Sequence, residues 1–237
     1  MTVLNNMPRC VVFDLDGTLV DTGPDLTAAT NHVLALAGRP PVSVAQVRDM
    51  VGLGARKLIE RGLAHTGGGT LEQAESLLQP FLDYYADNVC VASQPFPGVE
   101  QTLTRLQEAG ILIGICTNKP EKLSHALIEA LGWQRFFPVN IGGDSLPFRK
   151  PDGRHILTVI EQLGGNPQET VMVGDSTVDV AAARDAGLPV VAVSFGFSSV
   201  PANELEADAL IDRYDQLIEA LATVHQERTT TLQARTS

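Results

Sequence analysis

A chain of 237 residues with 44% hydrophobic and 19% charged residues has a globular composition, long enough for one large domain or two smaller ones. Its 17 basic and 28 acidic residues leave a formal charge of −11, which speaks against nucleic acid or an anionic membrane as partner. Any phosphate-bearing ligand must then be held by local positive charge. Cys10 and Cys116, two of three cysteines, lie in apolar runs and read as buried thiols of a reducing compartment. With no signal-peptide pattern and no apolar run of membrane-spanning length, the expected location is the cytoplasm.

The first element is the apolar run Cys10-Val11-Val12-Phe13, whose β-branched and aromatic content predicts a buried strand. It ends in Asp14-Leu15-Asp16-Gly17-Thr18, placing two carboxylates two residues apart where the strand breaks into a loop. An ordinary Asp-Gly turn accounts for Asp16-Gly17 but leaves Asp14 and Thr18 without a task. Carboxylates so close are stable as anions only with a cation or a shared proton, so the pattern predicts a bound metal, an acid/base pair, or both.

Residues 25–88 show helical spacing and no convincing strand: Leu26, Ala29, Val33 and Leu36, then Leu58, Ile59 and Leu63, then Leu77, Leu78, Phe81, Leu82 and Tyr85. No strand precedes Gly67-Gly68-Gly69, which is therefore a linker and not a phosphate loop. From Pro95 onward strands and helices alternate. A helix opens at Pro97-Gly98 and closes at Gly110; a strand covers 111–116; the next helix has Pro120 at its start and Gly132 past its end. Further strands are expected at 139–141, 171–173, 190–193 and 209–211.

Uniformly apolar strands between amphipathic helices predict an α/β fold, a doubly wound, Rossmann-like parallel sheet covered on both faces. The first strand belongs to that sheet by composition, so the all-helical block is an insertion. The expected organisation is a core of residues 1–21 and 95–237 and a helical cap of residues 22–94, hanging over the acidic strand end as a lid. Residues 225–237, rich in Thr, Gln and Arg without periodicity, are expected to be a disordered tail.

Polar clusters follow strands or precede helices: Thr117-Asn118-Lys119-Pro120, Lys150-Pro151, and Gly174-Asp175-Ser176-Thr177-Val178-Asp179. Taken singly, each has an ordinary explanation: a helix N-cap, a solvated lysine, acids favouring a helix dipole. In a parallel sheet, however, such ends share one edge. Together they supply the parts that hold a phosphate dianion beside Mg²⁺: carboxylates for a hard cation, and amides, a hydroxyl and an ammonium for phosphate oxygens.

The order Asp-x-Asp-Gly-Thr, strand-Thr-Asn, Lys-Pro, Gly-Asp-x₃-Asp resembles the haloacid dehalogenase superfamily, with the helical insertion in the place of its small cap. Longer stretches, among them Val51-Gly52-Leu53-Gly54, Tyr84-Tyr85 and Ile141-Gly142-Gly143-Asp144, resemble its phosphoglycolate phosphatases. The Asp152-Gly153 that follows Lys150-Pro151 departs from the usual pattern of a small polar residue or His and then a second Pro.

The resemblance implies Mg²⁺-dependent hydrolysis of a phosphomonoester, with 2-phosphoglycolate as the small phosphorylated partner, by a monomer or small homo-oligomer. It assigns Asp14 as nucleophile forming an aspartyl-phosphate and Asp16 as proton shuttle, partly protonated under the influence of the Asp14 charge. It assigns Asp14, the Asp16 carbonyl and Asp175 to the metal, and Asp179 to orienting what surrounds it. Thr117, Asn118, Lys150 and the amides near Gly17 would bind the phosphoryl oxygens. In the cap, Gly52 and Gly54 offer backbone donors and Arg56 a carboxylate partner. A sugar-phosphate mutase or pyrophosphatase on the same core, and a non-enzymatic receiver-type phospho-acceptor, are the competing readings.

Overall fold

The computed structural model describes residues 6–236, with side chains as far as residue 231. In chain order the elements are β1 (Cys10–Phe13), β2 (Val20–Asp21), α1 (Gly23–Leu36), α2 (Val44–Arg48), α3 (Ala55–His65), α4 (Leu71–Asp87), β3 (Gln94–Pro95), α5 (Val99–Glu108) and β4 (Leu112–Cys116). There follow α6 (Glu121–Ala130), β5 (Val139–Ile141), α7 (Arg154–Gln162), β6 (Thr170–Gly174), α8 (Thr177–Asp185), β7 (Val190–Val193), β8 (Ala209–Ile211) and α9 (Leu217–Thr236).

Six strands form one sheet in the order β5-β4-β1-β6-β7-β8, all parallel. Alternation along β1 divides the core in two. Val11 and Phe13 pack on one face with α5, α6 and α9 residues, while Cys10 and Val12 pack on the other with Ile156, Val159 and Ala183. The expected doubly wound core is present. The chain runs outward from β1 through β4 to β5, then crosses to β6 on the other side of β1 and runs outward through β7 to β8, and a crevice opens at the carboxyl ends of β1, β4 and β6, where the order reverses.

Helices α1 to α4 pack on one another above that edge, and their apolar residues, including Leu58, Ile59, Phe81 and Tyr85, continue the core of the first sheet face. The chain enters and leaves this insertion through β2 and β3, which pair antiparallel as Val20↔Pro95 and Asp21↔Gln94. Two residues per strand are too few for a periodic signal, so the sequence does not announce this ribbon. Buried Asp25, in the first turn of α1, accepts hydrogen bonds from the N–H groups of Val91, Ala92 and Ser93 and from the Ser93 hydroxyl, at 2.7–3.0 Å. One carboxylate thereby ties the exit of the insertion to its entrance.

One expectation fails in the structure. Residues 225–236 do not fray but extend α9, and residue 237 lies outside the described residues. The Thr-rich stretch is helical because its hydroxyls are satisfied within the helix: Thr229, Thr230 and Thr231 donate to the carbonyls four residues earlier. Arg228 pins the helix to the core through the carbonyls of Pro167 at 3.0 Å and Gly187 at 2.8 Å. Among the described residues no helix is long and apolar enough to cross a membrane.

Candidate active site

Asp14 follows β1 directly, its N–H donating to Val173 O at 2.9 Å. Thr117 follows β4, and Asp175 follows β6. Lys150 arrives from the loop before α7. His155, in the first turn of that helix, holds the loop by accepting from Lys150 N at 3.3 Å and donating to Gly142 O at 3.1 Å. Burial and the Lys150 charge push the His155 imidazole down to about 4, which keeps the ring neutral for this pair of bonds.

The Lys150 ammonium sits 2.8 Å from Asp14 Oδ1 and 2.6 Å from Asp179 Oδ1, with all three side chains at most a tenth exposed. Burial works against its charge, but the two carboxylates overrule burial and hold the proton. Asp179 is saturated: its other oxygen accepts from the Ser176 hydroxyl at 2.6 Å, Ser176 N at 3.1 Å and Asp175 N at 3.3 Å. It braces Lys150 and the start of α8. Asp175 accepts from the Thr18 hydroxyl at 2.9 Å and from Phe197 N at 2.7 Å. Burial pushes the Asp175 carboxyl well up and brings Asp14 to about 6; the Lys150 charge opposes the Asp14 shift, and the charges of Asp179 and Asp16 add to it.

Asp16 faces the other way. Its Oδ1 accepts from the Thr22 hydroxyl at 2.8 Å, and Lys119 Nζ lies 2.9 and 3.2 Å from its two oxygens. Lys119 also donates to the Tyr85 hydroxyl of α4 at 2.7 Å. Neither Lys119 nor Tyr85 was a candidate from sequence. Lys119 stands inside the Thr-Asn-Lys-Pro motif, but an isolated lysine before a helix carries no sign of burial. Thr22 and Asp25 likewise carry no sign in the sequence, whereas Thr18 stands in the acidic motif without an assigned role.

Asp14, Asp16, Thr117, Asn118 and Lys119 line one wall of a cavity of about 40 Å³, and Leu26, Val51, Gly52, Gly54, Leu58, Phe81 and Tyr85 of the insertion line the other. At three of the residues singled out in the sequence the structure shows other commitments. Asn118 has both amide hydrogens committed, to Gly52 O and Lys150 O at 3.0 Å each, so its side chain clamps the seam between core and insertion. The Gly17 N–H is spent on Val20 O at 2.9 Å. Gly17 is required for another reason: its φ is +82°, and a Cβ there would lie 2.5 Å from Asp175 Oδ2. Arg56 lies outside the cavity, paired with Glu75 of α4 at 2.5 Å and more than half exposed. Its place two residues after Gly54 points to the cavity, but the helical turn carries its side chain toward α4.

The cluster fits a divalent cation. Asp14, Asp175 and Asp179 each place an oxygen within 4.8 Å of the others. With Asp16, four carboxyl groups face the two ammonium groups of Lys119 and Lys150 in a largely buried site, more acids than their cations can hold ionised, and a bound cation would relieve the upward shift of Asp14 and Asp175. Asp14 Oδ1 is enclosed and makes no hydrogen bond, its 2.8 Å contact with the Lys150 ammonium being ionic. Hard oxygen donors with this excess of acids match the preference of Mg²⁺ or Ca²⁺.

The model of the haloacid dehalogenase-like hydrolases matches residues 11–193, which include Asp14, Asp16, Thr117, Lys119, Lys150, Asp175 and Asp179. The chain belongs to that family. This hydrolase is 45% identical over 215 residues to a phosphoglycolate phosphatase of Caulobacter vibrioides, covering 90% of this chain and 91% of the relative. It is 46% identical over 213 residues to one of Mesorhizobium japonicum, covering 90% and 94%. Among solved structures, a predicted phosphoglycolate phosphatase from Haemophilus somnus superposes with a TM-score of 0.84 at 30% identity, over 90% of this chain and 97% of that one. A non-enzymatic phospho-acceptor is therefore set aside.

Proposed function

We propose that this hydrolase cleaves 2-phosphoglycolate to glycolate and phosphate with Mg²⁺, through an aspartyl-phosphate on Asp14. The observation that carries the proposal is the division of labour between the two first-loop carboxylates: Asp14 is paired with Lys150 at the bottom of the crevice, while Asp16 is turned toward the cavity wall beside Lys119. Relatives named phosphoglycolate phosphatase along nine-tenths of the chain support the choice of substrate.

In this reading Asp14 attacks phosphorus in line, and Asp16 gives a proton to the leaving alkoxide and later takes one from the hydrolytic water. Lys150 donates to Asp179 and stands in ionic contact with Asp14, and it offers a remaining hydrogen to a phosphoryl oxygen. The Thr117 hydroxyl accepts from Lys119 N at 3.2 Å and keeps its own hydrogen for a second oxygen. With the Asn118 side chain and the Gly17 amide engaged elsewhere, the remaining donors are backbone N–H groups such as that of Asp16. Asp14, the Asp16 carbonyl and Asp175 would hold Mg²⁺, whose charge lowers the repulsion between Asp14 and the phosphate dianion. Residues 22–94 act as the cap that closes over the ester and excludes water.

The test is an initial-rate panel with Mg²⁺ over 2-phosphoglycolate, β-glucose 1-phosphate and pyrophosphate, measuring free phosphate. We expect 2-phosphoglycolate to lead, chelation to stop turnover, and Asp14→Asn to lower kcat by about 10⁴-fold or more with an unchanged circular dichroism spectrum. A phosphorylated sugar product with little free phosphate would favour a mutase instead.

A further inference from the structure

Resting on the phosphoglycolate reading, we propose that Lys119, held by Tyr85 from the cap, is the specificity residue that receives the carboxylate of the substrate. A second anionic group carried into this cavity leaves water behind and must find a fixed positive partner. Lys119 is the one cationic side chain lining the cavity among the described residues. Lys150 lies behind Asp14, committed to two carboxylates; Arg56 is turned out to Glu75; Arg149, near Gly54, is exposed at the rim.

The position matches the chemistry. Asp16 must reach the ester oxygen to protonate the leaving group, and in 2-phosphoglycolate one methylene separates that oxygen from the carboxylate carbon. Lys119 Nζ is hydrogen-bonded to Asp16 at 2.9 Å, one contact further from the phosphorus. Its ammonium contacts both Asp16 oxygens, at 2.9 and 3.2 Å, and the Tyr85 hydroxyl at 2.7 Å; one hydrogen shared between the two Asp16 oxygens leaves the third for the substrate carboxylate. The ammonium also stands 4.4 Å from the Tyr85 ring centroid, so an aromatic face and a hydroxyl, both supplied by α4, set its direction. The cation belongs to the core, and its aim depends on a closed cap. The amino-terminal end of α3, which lines the cavity at Gly54 and Ala55, adds a field of the same sign.

The experiment compares kcat/KM of the Mg²⁺-loaded enzyme for 2-phosphoglycolate and for ethyl phosphate, which carries a methyl group in place of the carboxylate. We expect wild type to prefer the acid by about 100-fold or more. Lys119→Met should bring the preference to within about threefold, mainly through KM, and Lys119→Arg should restore part of it. Tyr85→Phe should lower it about fivefold, and Arg149→Ala should leave it unchanged. If Lys119→Met slows both esters equally and the preference survives, Lys119 serves Asp16 alone and the proposal is overturned; loss of preference in Arg149→Ala overturns it also. Lys119→Gln, which keeps donors for Asp16 and Tyr85, replaces Lys119→Met should the latter not fold.

A binding measurement separates this inference from the substrate reading. By calorimetry with Mg²⁺, 2-phosphoglycolate should bind Asp14→Asn protein about 100-fold more tightly than Asp14→Asn/Lys119→Met protein. That difference remains readable should another acidic phosphoester lead the rate panel, which would remove the substrate assignment and leave the carboxylate site. Equal affinities would overturn the carboxylate site whichever ester leads.

Discussion

On the core side of the cleft, Asp14, Asp175, Asp179, Lys150 and Thr18 spend most of their polar atoms on one another, whereas the cap side presents Leu26, Val51, Leu58 and Phe81. Facing residues 117–120, the cap contributes two polar groups among the described residues, the Tyr85 hydroxyl and the Gly52 carbonyl; its other polar ties to the core lie at the entrance of the insertion, where Thr22 donates to Asp16 and Arg48 pairs with Asp21. The contrast assigns the work. Groups that must hold position within tenths of an ångström while charge moves sit at strand ends, where the sheet determines the backbone. In the proposed reading the surface that opens and closes is apolar, so that closing it would remove water without desolvating charges of its own.

The strongest way to break this contrast is to strip the core of its central cation. Lys150→Met leaves Asp14 and Asp179 buried without a partner and should cost about 3–5 kcal/mol of stability, read by denaturant unfolding, together with loss of phosphatase turnover. A smaller effect is expected at the hinge. Asp25→Ala unpairs the N–H groups of Val91 to Ser93 and should cost about 2–4 kcal/mol, with faster hydrogen exchange confined to residues 91–93 and α1.

His155 sharpens the contrast by pH. Its folded pKa, about 4, lies below the unfolded value near 6.5, so the unfolded chain binds the proton more readily. Stability from this group is full above pH 6.5, falls as the pH drops toward 4 and levels off below it, an expected loss of about 2–3 kcal/mol. The difference between wild type and His155→Asn across that window measures it. The smallest effect is expected on the outer surface of the cap. Arg56→Ala should change kcat/KM by less than about twofold and stability by less than about 0.5 kcal/mol, because its partner is an exposed glutamate and not the substrate.

The core was legible because its signals are local and redundant. Four apolar residues followed by two acids name a buried strand end, and helix punctuation at Pro120 and Gly132 names a helix. The cavity wall was less legible. Whether Lys119 is solvated or enclosed depends on Tyr85, 34 positions earlier and on another element, and neither residue carries a mark of the meeting. The same holds for Asn118, whose type suggested a phosphate donor but whose two hydrogens are taken by carbonyls of residues 52 and 150. The Arg56 assignment followed from chain position alone, which states where a side chain starts and not where it points. For the last helix, composition suggests fraying because a stretch rich in Thr, Gln and Arg has no hydrophobic periodicity; the contacts of Arg228 and the bonds of the Thr hydroxyls hold it without an apolar stripe.

By itself the sequence determined the parallel sheet, the inserted helices and the acidic loop that follows the first strand. Hydrophobic periodicity and turn residues act over a few positions, and a parallel sheet then brings its strand ends to one edge. Only the tertiary structure decided which carboxylate faces which lysine. Asp14 and Asp16 are chemically identical and two residues apart; Lys150 at the end of a buried loop and Lys119 beneath the cap give them different surroundings, because charge pairing is set by distance through space and not along the chain.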